Sequence, residues 1–129
     1  SSISNAKFKI CQLKWTLDDE IEQINKFDIG IMPLENTPWE NGKCGFKLIQ
    51  YMACGVPVIA SPVGINSQIV SNDVGFLANS KEEWLEYITM FIENTILREA
   101  MGVKSRIRIE NNFSFNNNVN IIRSYFTNL

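Results

Sequence analysis

The sequence contains no histidine. A chain without imidazole cannot itself supply a Ser-His-Asp or Cys-His catalytic unit, a histidine-ligated metal or a histidine general base. Its chemistry must therefore use carboxylates, amides, lysines or the backbone, or groups from outside the chain. There are three cysteines, Cys11, Cys44 and Cys54, without CxxC spacing. This pattern disfavours a disulfide framework or a zinc site and favours reduced thiols in the cytosol.

Long apolar runs and a charge excess are also absent. No run of about 18 apolar residues is present, so we expect no membrane-spanning segment. The first residues, SSISNAKFK, lack the apolar region of a signal peptide, which favours a cytoplasmic protein. The net charge of −2 gives no overall attraction to nucleic acid, and we expect no such partner. The length of 129 residues and the hydrophobic content of 45% indicate a single globular domain.

The most informative stretch runs from Pro33 to Gly64. It follows Phe27–Pro33, a near-continuous apolar run that is typical of a strand buried on both faces. Helical periodicity then begins near Gly45 and ends at Gly55, which is placed as the left-handed residue after a helix, with Pro57 preventing continuation. Val58–Ala60 follows as a second buried strand. The stretch therefore predicts a strand, a loop, a helix and another strand.

Similar patterns continue on both sides of this stretch. They predict a strand at Phe8–Trp15, a helix from a Thr16 cap to Lys26, a helical turn at Gln68–Val70, an extended segment at Val74–Ala78, and helices after Ser80, near Thr95–Glu110 and after Ser114. Ser80 and Glu83 have capping-box spacing, and Trp84, Ile88, Phe91 and Ile92 form the predicted apolar face of the helix that follows.

Alternating strands and helices indicate parallel strand pairing with right-handed crossovers. The predicted fold is an α/β sandwich with a small parallel sheet and a helical C-terminal end. Ligands bind such sheets at the carboxyl ends of the strands. We therefore expect the loops after Pro33 and Ala60 to converge.

The start of the central helix is a candidate anion site. The backbone N–H groups of Cys44, Gly45 and Phe46 are expected to lack partners within the helix and to point outward together. Lys43 and Lys47 add positive charge there, at a cost of about 0.3–1 kcal/mol each against the helix dipole. A bridging phosphate explains that placement, and the alternative is that both lysines simply face solvent.

Several segments together resemble one enzyme family. They are FDIGIMPLE, GFKLIQYMACGVPVIASPVG, VGFLANS, the Glu-Trp-Leu helix, LREAMG and FSF, and they cover about residues 27 to 116. The pattern resembles the C-terminal, donor-binding half of a glycosyltransferase with the GT-B fold, nearest to the retaining bacterial group 1 (family 4) enzymes. The resemblance implies a Rossmann-like three-layer sandwich. It also implies that residues 1–129 are a single, truncated nucleotide-sugar-binding domain whose acceptor-binding partner domain would precede Ser1.

The resemblance carries functional expectations. The full-length enzyme would transfer a sugar from a UDP- or GDP-sugar to a glycan or lipid-linked acceptor with retention, as in polysaccharide biosynthesis. It would need no cofactor or metal, in keeping with the lack of an Asp-x-Asp motif. Peripheral association with the inner face of the membrane is a further expectation, and the fragment alone is expected to be inactive. Two alternatives are a GT-B-like nucleotide-sugar epimerase and a non-catalytic, degenerate GT-B domain with a structural or regulatory role.

The family signature is a Glu, seven residues and a second Glu, which contact the donor sugar and the ribose in similar enzymes. The matching positions here are Gly42 and Gln50. Gln50 can still hydrogen-bond a ribose hydroxyl through its amide, whereas Gly42 cannot replace a carboxylate. Glu40 is therefore the candidate catalytic carboxylate that holds the sugar, and a solvated loop acid is the alternative.

The remaining candidate donor-binding residues follow the third predicted strand. Gly64 and Asn66 are expected to close the other wall of the site, although a plain turn would have the same sequence. The complete predicted donor-binding set is Lys43, Cys44, Gly45, Phe46, Lys47, Gln50, Gly64 and Asn66. Arg106 and Arg108 are interpreted as part of a solvated helix face, and the alternative is that they seat a partner or a lipid headgroup.

Overall fold

A computed structural model describes residues 9, 12, 19–38 and 45–112 of the chain, without the side chains of Phe46 and Asn112. The elements are α1 (Glu20–Ile24), β1 (Gly30–Met32), α2 (Phe46–Ala53), β2 (Val58–Ala60), α3 (Asn66–Ile69), β3 (Gly75–Leu77), α4 (Lys81–Glu93) and α5 (Thr95–Asn112). The predicted strand at Phe8–Trp15, the Thr16 cap and the helix after Ser114 lie outside the described residues. None of the described helices is both long enough and apolar enough to cross a bilayer.

The three described strands form one parallel sheet in the order β1-β2-β3. Ile59 in the central strand pairs with Ile31 on one side and with Phe76 on the other. All three residues of β2 are fully buried, as expected for the middle strand of a covered parallel sheet. The small parallel sheet with helices confirms the predicted α/β class, and the two C-terminal helices confirm the helical end.

Apolar clusters lie on both faces of the sheet. One cluster contains Val58 and Ala60 of β2 together with Leu48 and Met52 of α2. The other contains Ile59 with residues of α4 and α5, such as Phe91 and Met101. Because alternate residues of a strand point to opposite faces, the sheet is the middle of three layers.

The expected burial of β1 on both faces was wrong. Its central residue, Ile31, is exposed, whereas Gly30 on the opposite face is buried under the ring of Tyr51. Within the described residues β1 is an edge strand, and α4 packs against β2 rather than across Ile31. The apolar run therefore predicted the strand correctly. It did not show whether both faces of that strand are covered by other elements.

Two predicted helix ends are confirmed. Gly55 has φ +74° after α2, and the N–H of Val56 donates to the carbonyl of Tyr51 at 3.0 Å, as in a Schellman motif. At the start of α4, the Ser80 hydroxyl accepts from the N–H of Glu83 at 3.1 Å. The Glu83 carboxylate reaches back to the N–H of Asn79 at 3.1 Å, which completes a reciprocal cap.

The predicted apolar face of α4 was right for three of its four members. Phe91 is fully buried, Trp84 and Ile88 are partly buried, and Ile92 is exposed. Each helical residue advances about 100° around the axis, so Ile92 lies a quarter-turn beyond Phe91 and outside the contact with the sheet.

Helix α5 touches the turn after α2 through two glycines. A Cβ at position 102 would overlap the carbonyl oxygen of Gly55 and lie 3.4 Å from Cδ of Pro57. The backbone of α5 therefore approaches this turn at a distance that no side chain at position 102 permits.

We expect Gly102→Ala to destabilise the protein despite the better helix propensity of alanine. The added Cβ would overlap a backbone oxygen, so overpacking should cost about 2–3 kcal/mol, the upper part of its usual range. The propensity gain returns about 1 kcal/mol, so the net loss is about 1–2 kcal/mol. Urea unfolding followed by circular dichroism measures the change. Lys104→Ala, on the exposed side of the same helix, is the control and should change stability by less than about 0.5 kcal/mol. A Gly102→Ala protein as stable as wild type would contradict the close contact.

Candidate functional site

The candidate site is built around the first turn of α2. Gly45 precedes the helix as its N-cap with φ 68°, and no side chain of the described residues caps the helix. The first backbone N–H groups of an α-helix have no acceptor within the helix. The predicted start of this helix at or next to Gly45 is confirmed.

Gly45 is required by packing as well as by its backbone angle. A Cβ there would lie 2.5 Å from Cδ1 of Ile69 and 2.8 Å from Cγ2 of Ile65, both on the loop and helix after β2. The same Cβ would be 3.5 Å from Oδ1 of Asn66. The structure therefore brings Gly45 and Asn66 together, whereas the role of Gly45 in admitting a phosphate stays a prediction.

The loops after β1 and β2 converge as predicted. The N–H of Ser61 donates to the carbonyl of Met32 at 3.1 Å, which extends the strand pairing by one residue. The Ser61 hydroxyl then accepts from the N–H of Leu34 at 2.9 Å. These two bonds fix one loop against the other at the carboxyl edge of the sheet.

Asn66 holds the second loop in shape. Its side chain is buried, and its amide nitrogen donates to the carbonyl of Ser61 at 3.0 Å. Gly64, two residues earlier, is exposed with φ 58°. The two residues predicted to wall the site thus lie on the turn that faces the start of α2, and their contact with a ligand stays a prediction.

Arg108 anchors the far end of this turn. Its guanidinium donates to the backbone carbonyls of Ile69 at 2.9 Å and of Gln68 at 3.0 Å, which are the last carbonyls of α3. The interpretation of Arg108 as part of a solvated face was therefore wrong, because it caps a short helix from a distant element. Arg106 is exposed and bonds Glu110 in its own helix, as the solvated-face interpretation expected.

The anion beside Lys47 in the structure is a carboxylate of the protein. The ammonium of Lys47 forms an ion pair with the carboxylate of Glu20 on α1. Glu20 is buried and Lys47 is partly exposed. An ammonium has three donors, so a phosphate would share Lys47 with Glu20 or compete for it. The contact of Lys47 with a phosphate stays a prediction.

Tyr51 lies next to the ion pair, on the face of α2 that packs against β1. Its hydroxyl donates to the carbonyl of Ile31 at 3.2 Å. Burial raises the pKa of Tyr51, and the neighbouring Glu20 carboxylate raises it further. The phenol is thus a neutral hydrogen-bond donor that fixes α2 against the strand.

Gln50 is the most unusual polar residue near the site. Its side chain is 0% exposed, yet neither its amide nitrogen nor its amide oxygen has a hydrogen-bond partner in the part of the chain that the structure describes. At 100° per residue, Gln50 lies about 160° around α2 from both Leu48 and Met52, which face the sheet. It therefore lies on the side of α2 opposite Leu48 and Met52, and none of the described residues uses its hydrogen-bonding capacity.

A pocket of about 240 Å³ opens at the same edge of the sheet. Its polar lining includes Asn36 after β1, Ser61 after β2, and Asn79 and Lys81 after β3, with the ring of Trp84 beside them. The sequence predicted that two of its three loops converge at this edge, but it placed Trp84 on an apolar helix face and did not indicate the loop after β3.

The structure leaves part of the predicted set undescribed. Glu40, Lys43 and Cys44 lie outside the described residues, and Phe46 is described through its backbone alone. Sequence reasoning missed Glu20, whose buried position was indicated by its spacing of four residues from Ile24 on α1. It also missed Ser61 and Arg108, whose roles depend on contacts with distant segments that no local pattern signals.

Comparison with known proteins gives consistent matches. The sequence model of the family described as "Glycosyl transferases group 1" matches residues 9–108. An uncharacterized glycosyltransferase of Methanocaldococcus jannaschii is 30% identical over 97 residues, which are 73% of this chain and 25% of that protein. A trehalose synthase of Pyrococcus horikoshii is 33% identical over 70 residues, which are 54% of this chain and 17% of that protein. No solved structure gives a significant match.

The chain thus spans a quarter or less of the length of these two relatives. The matched region includes the whole parallel sheet, the α2 helix and the loops that converge on Gly45. The sheet topology and the converging loops are consistent with the family match. The chain belongs to the group 1 glycosyltransferases.

Proposed function

We propose that this chain binds the donor of a glycosyltransferase that moves a sugar from a UDP- or GDP-sugar, with retention, to a glycan or lipid-linked acceptor. The observation that carries the proposal is buried Gln50, whose two amide atoms have no hydrogen-bond partner among residues 19–38 and 45–112. Leaving a buried polar group without a partner costs about 1–3 kcal/mol. A ribose offers neighbouring hydroxyls that donate and accept, and these complement both atoms of the amide.

The start of α2 supports a diphosphate next to that ribose. Uncapped backbone N–H groups and the positive end of the helix dipole favour an anion there. Gln50 lies four residues, or about one turn, after Phe46, so a ribose at Gln50 and a diphosphate at the helix start suit one nucleotide. Fixed backbone donors stabilise the charge that develops on a leaving diphosphate, and they need no metal to do so.

The pocket at the carboxyl edge of the sheet is a candidate position for the sugar or for part of the acceptor. Its amides, hydroxyl and lysine suit sugar hydroxyls, and the ring of Trp84 offers an apolar surface to a pyranose face. It shares Ser61 with the loop that faces Gly45, so the pocket and the start of α2 are adjacent. Under the proposed function, the nucleotide site at the start of α2 and this pocket are occupied at the same time.

We predict that Gln50→Met weakens nucleotide binding and stabilises the fold at the same time. Methionine has a similar volume and removes two unpartnered polar atoms, so the free energy of unfolding should rise by about 1–2 kcal/mol. Titration calorimetry with UDP, GDP and their sugars should give a dissociation constant of about 1 mM or tighter for wild type, weakened about tenfold or more in the variant.

The matched control is Gln68→Met on α3, where the glutamine side chain is exposed. This control should change neither nucleotide affinity nor stability appreciably. A destabilised Gln50→Met protein would mean that the amide has a structural partner. A stabilised variant with unchanged affinity would remove Gln50 from the nucleotide site.

A second prediction separates the two roles of Lys47. If a donor diphosphate competes with Glu20 for this ammonium, Glu20→Gln should raise nucleotide affinity several-fold because the competing charge is gone. Adding Lys47→Met to Glu20→Gln should abolish that gain in affinity. Lys47→Met alone should lower the free energy of unfolding by about 1–3 kcal/mol, because the buried Glu20 carboxylate loses this cation. The combined Glu20→Gln and Lys47→Met variant should recover most of the lost stability.

Calorimetry measures the nucleotide affinity, and urea unfolding measures the stability, of wild type, the two single variants and the combined variant. An affinity that is identical in all four, with the stability changes intact, would assign Lys47 to the ion pair alone. A further double variant, Lys43→Ala with Lys47→Ala, should lose nucleotide binding under the proposed function.

The replacement of the family carboxylates by Gly42 and Gln50 favours a second candidate, a non-catalytic domain that keeps the fold. Gln50→Glu distinguishes the two candidates. A gain in donor affinity supports the donor-binding proposal, whereas no gain together with no nucleotide binding by wild type supports the non-catalytic role.

A further inference from the structure

Helix α5 has an apolar face on its outer side as well as on its inner side. The inner side carries Met101 and Ile109, both buried against the fold. The outer side carries Ile96, Ala100, Val103 and Ile107, which we call the outer seam. Their exposed fractions are 82% for Ile96, 61% for Val103 and 48% for Ile107, and Ala100 is exposed as well.

The spacing of the outer seam is that of a coiled-coil helix. Successive members are four, three and four residues apart, so all four fall within about 60° around the helix axis. A surface helix normally turns polar residues to the side opposite its core. Here that side presents a row of branched side chains interrupted by one alanine, so it has the pattern of a helix that packs against another helix.

We propose that the outer seam is the interface between two copies of this chain, with their α5 helices antiparallel. In that register, Ile96 lies opposite Ile107 of the second copy, and Ala100 lies opposite Val103 of the second copy. Each large residue therefore meets a residue of fitting size. A parallel arrangement would instead place Ala100 against Ala100 and leave a gap at the centre of the seam.

The charges beside the seam support the same register. Glu99 and Arg106 lie on one edge of the outer seam, one before and one after its centre. Antiparallel pairing places Glu99 beside Arg106 of the second copy, and the twofold axis repeats that contact. The Nε of Arg106 bonds Glu110 at 3.1 Å in its own helix. A guanidinium carries further N–H donors on its two terminal nitrogens, and these can bond a second carboxylate.

The charge balance makes a second copy a better occupant than a peptide of one sign. The four charged residues nearest the seam are Glu99, Lys104, Arg106 and Glu110, two acidic and two basic. A uniformly acidic or basic partner would be attracted by one half of this set and repelled by the other. A shallow groove of about 640 Å³, which runs beside Val103 and Ile107 to Gly55, gives room for the flanking side chains of a second helix.

Sedimentation equilibrium of the 129-residue chain tests the interface. We expect twice the monomer mass at about 100 µM, and at least tenfold weaker association for Val103→Glu, which places a charge at the centre of the seam. Leu85→Glu is the matched control, because Leu85 is 68% exposed on α4 and lies outside the seam. Circular dichroism and the unfolding midpoint confirm that all variants fold.

A charge exchange tests the orientation. Glu99→Arg should weaken the dimer about tenfold, and adding Arg106→Glu should restore it, because the pair is then reversed in both contacts. A parallel dimer would not be restored, since Glu99 would there face Lys104. A folded wild-type chain that stays monomeric at about 1 mM, or equal effects of Val103→Glu and Leu85→Glu, would overturn the proposal and assign the seam to another occupant.

Discussion

The packing of one face of α2 against the sheet is the contact on which the described fold depends. Leu48 and Met52 are fully buried on that face, and α2 contacts both β1 and β2 as well as α1, α3 and α5. This packing fixes the rotation of the helix about its axis. It therefore decides that Gly45 meets the loop after β2 and that Gln50 lies on the opposite side of α2. The site geometry is a consequence of core packing.

The polar groups around α2 are not optimised for stability. Among the described residues Gln50 is buried without a hydrogen-bond partner, and Glu20 is a buried carboxylate that pairs with the partly exposed Lys47. Apolar residues at these positions would often be as stable or more stable. Residues that lower the stability of a fold are found most often at its functional sites. Gln50 is on α2 and Glu20 is paired with Lys47 of α2, and together they support a ligand-binding role for the start of this helix.

Local chemistry made much of the fold predictable. The left-handed Gly55, the Ser80 cap and the apolar strands each depend on neighbouring residues, and each was found where the sequence placed it. Other features depend on residues that are distant in the sequence and could not be predicted locally. They are the edge position of β1 among the described strands, the Lys47–Glu20 pair over 27 residues and the Arg108 cap over 39 residues. The approach of Gly45 to Asn66 followed from strand order, whereas no local signal indicated that Gln50 would be buried without a partner among the described residues.

The turn between β2 and α3 is held at both ends by groups of the protein. Ser61 ties its start to the loop after β1, and Arg108 ties its end to α5. Its shape is therefore set during folding, and ordering it costs a ligand little additional entropy. A ligand that touches Asn66 meets a preorganised wall, so the affinity of this side of the site should depend on the contacts themselves rather than on an induced rearrangement.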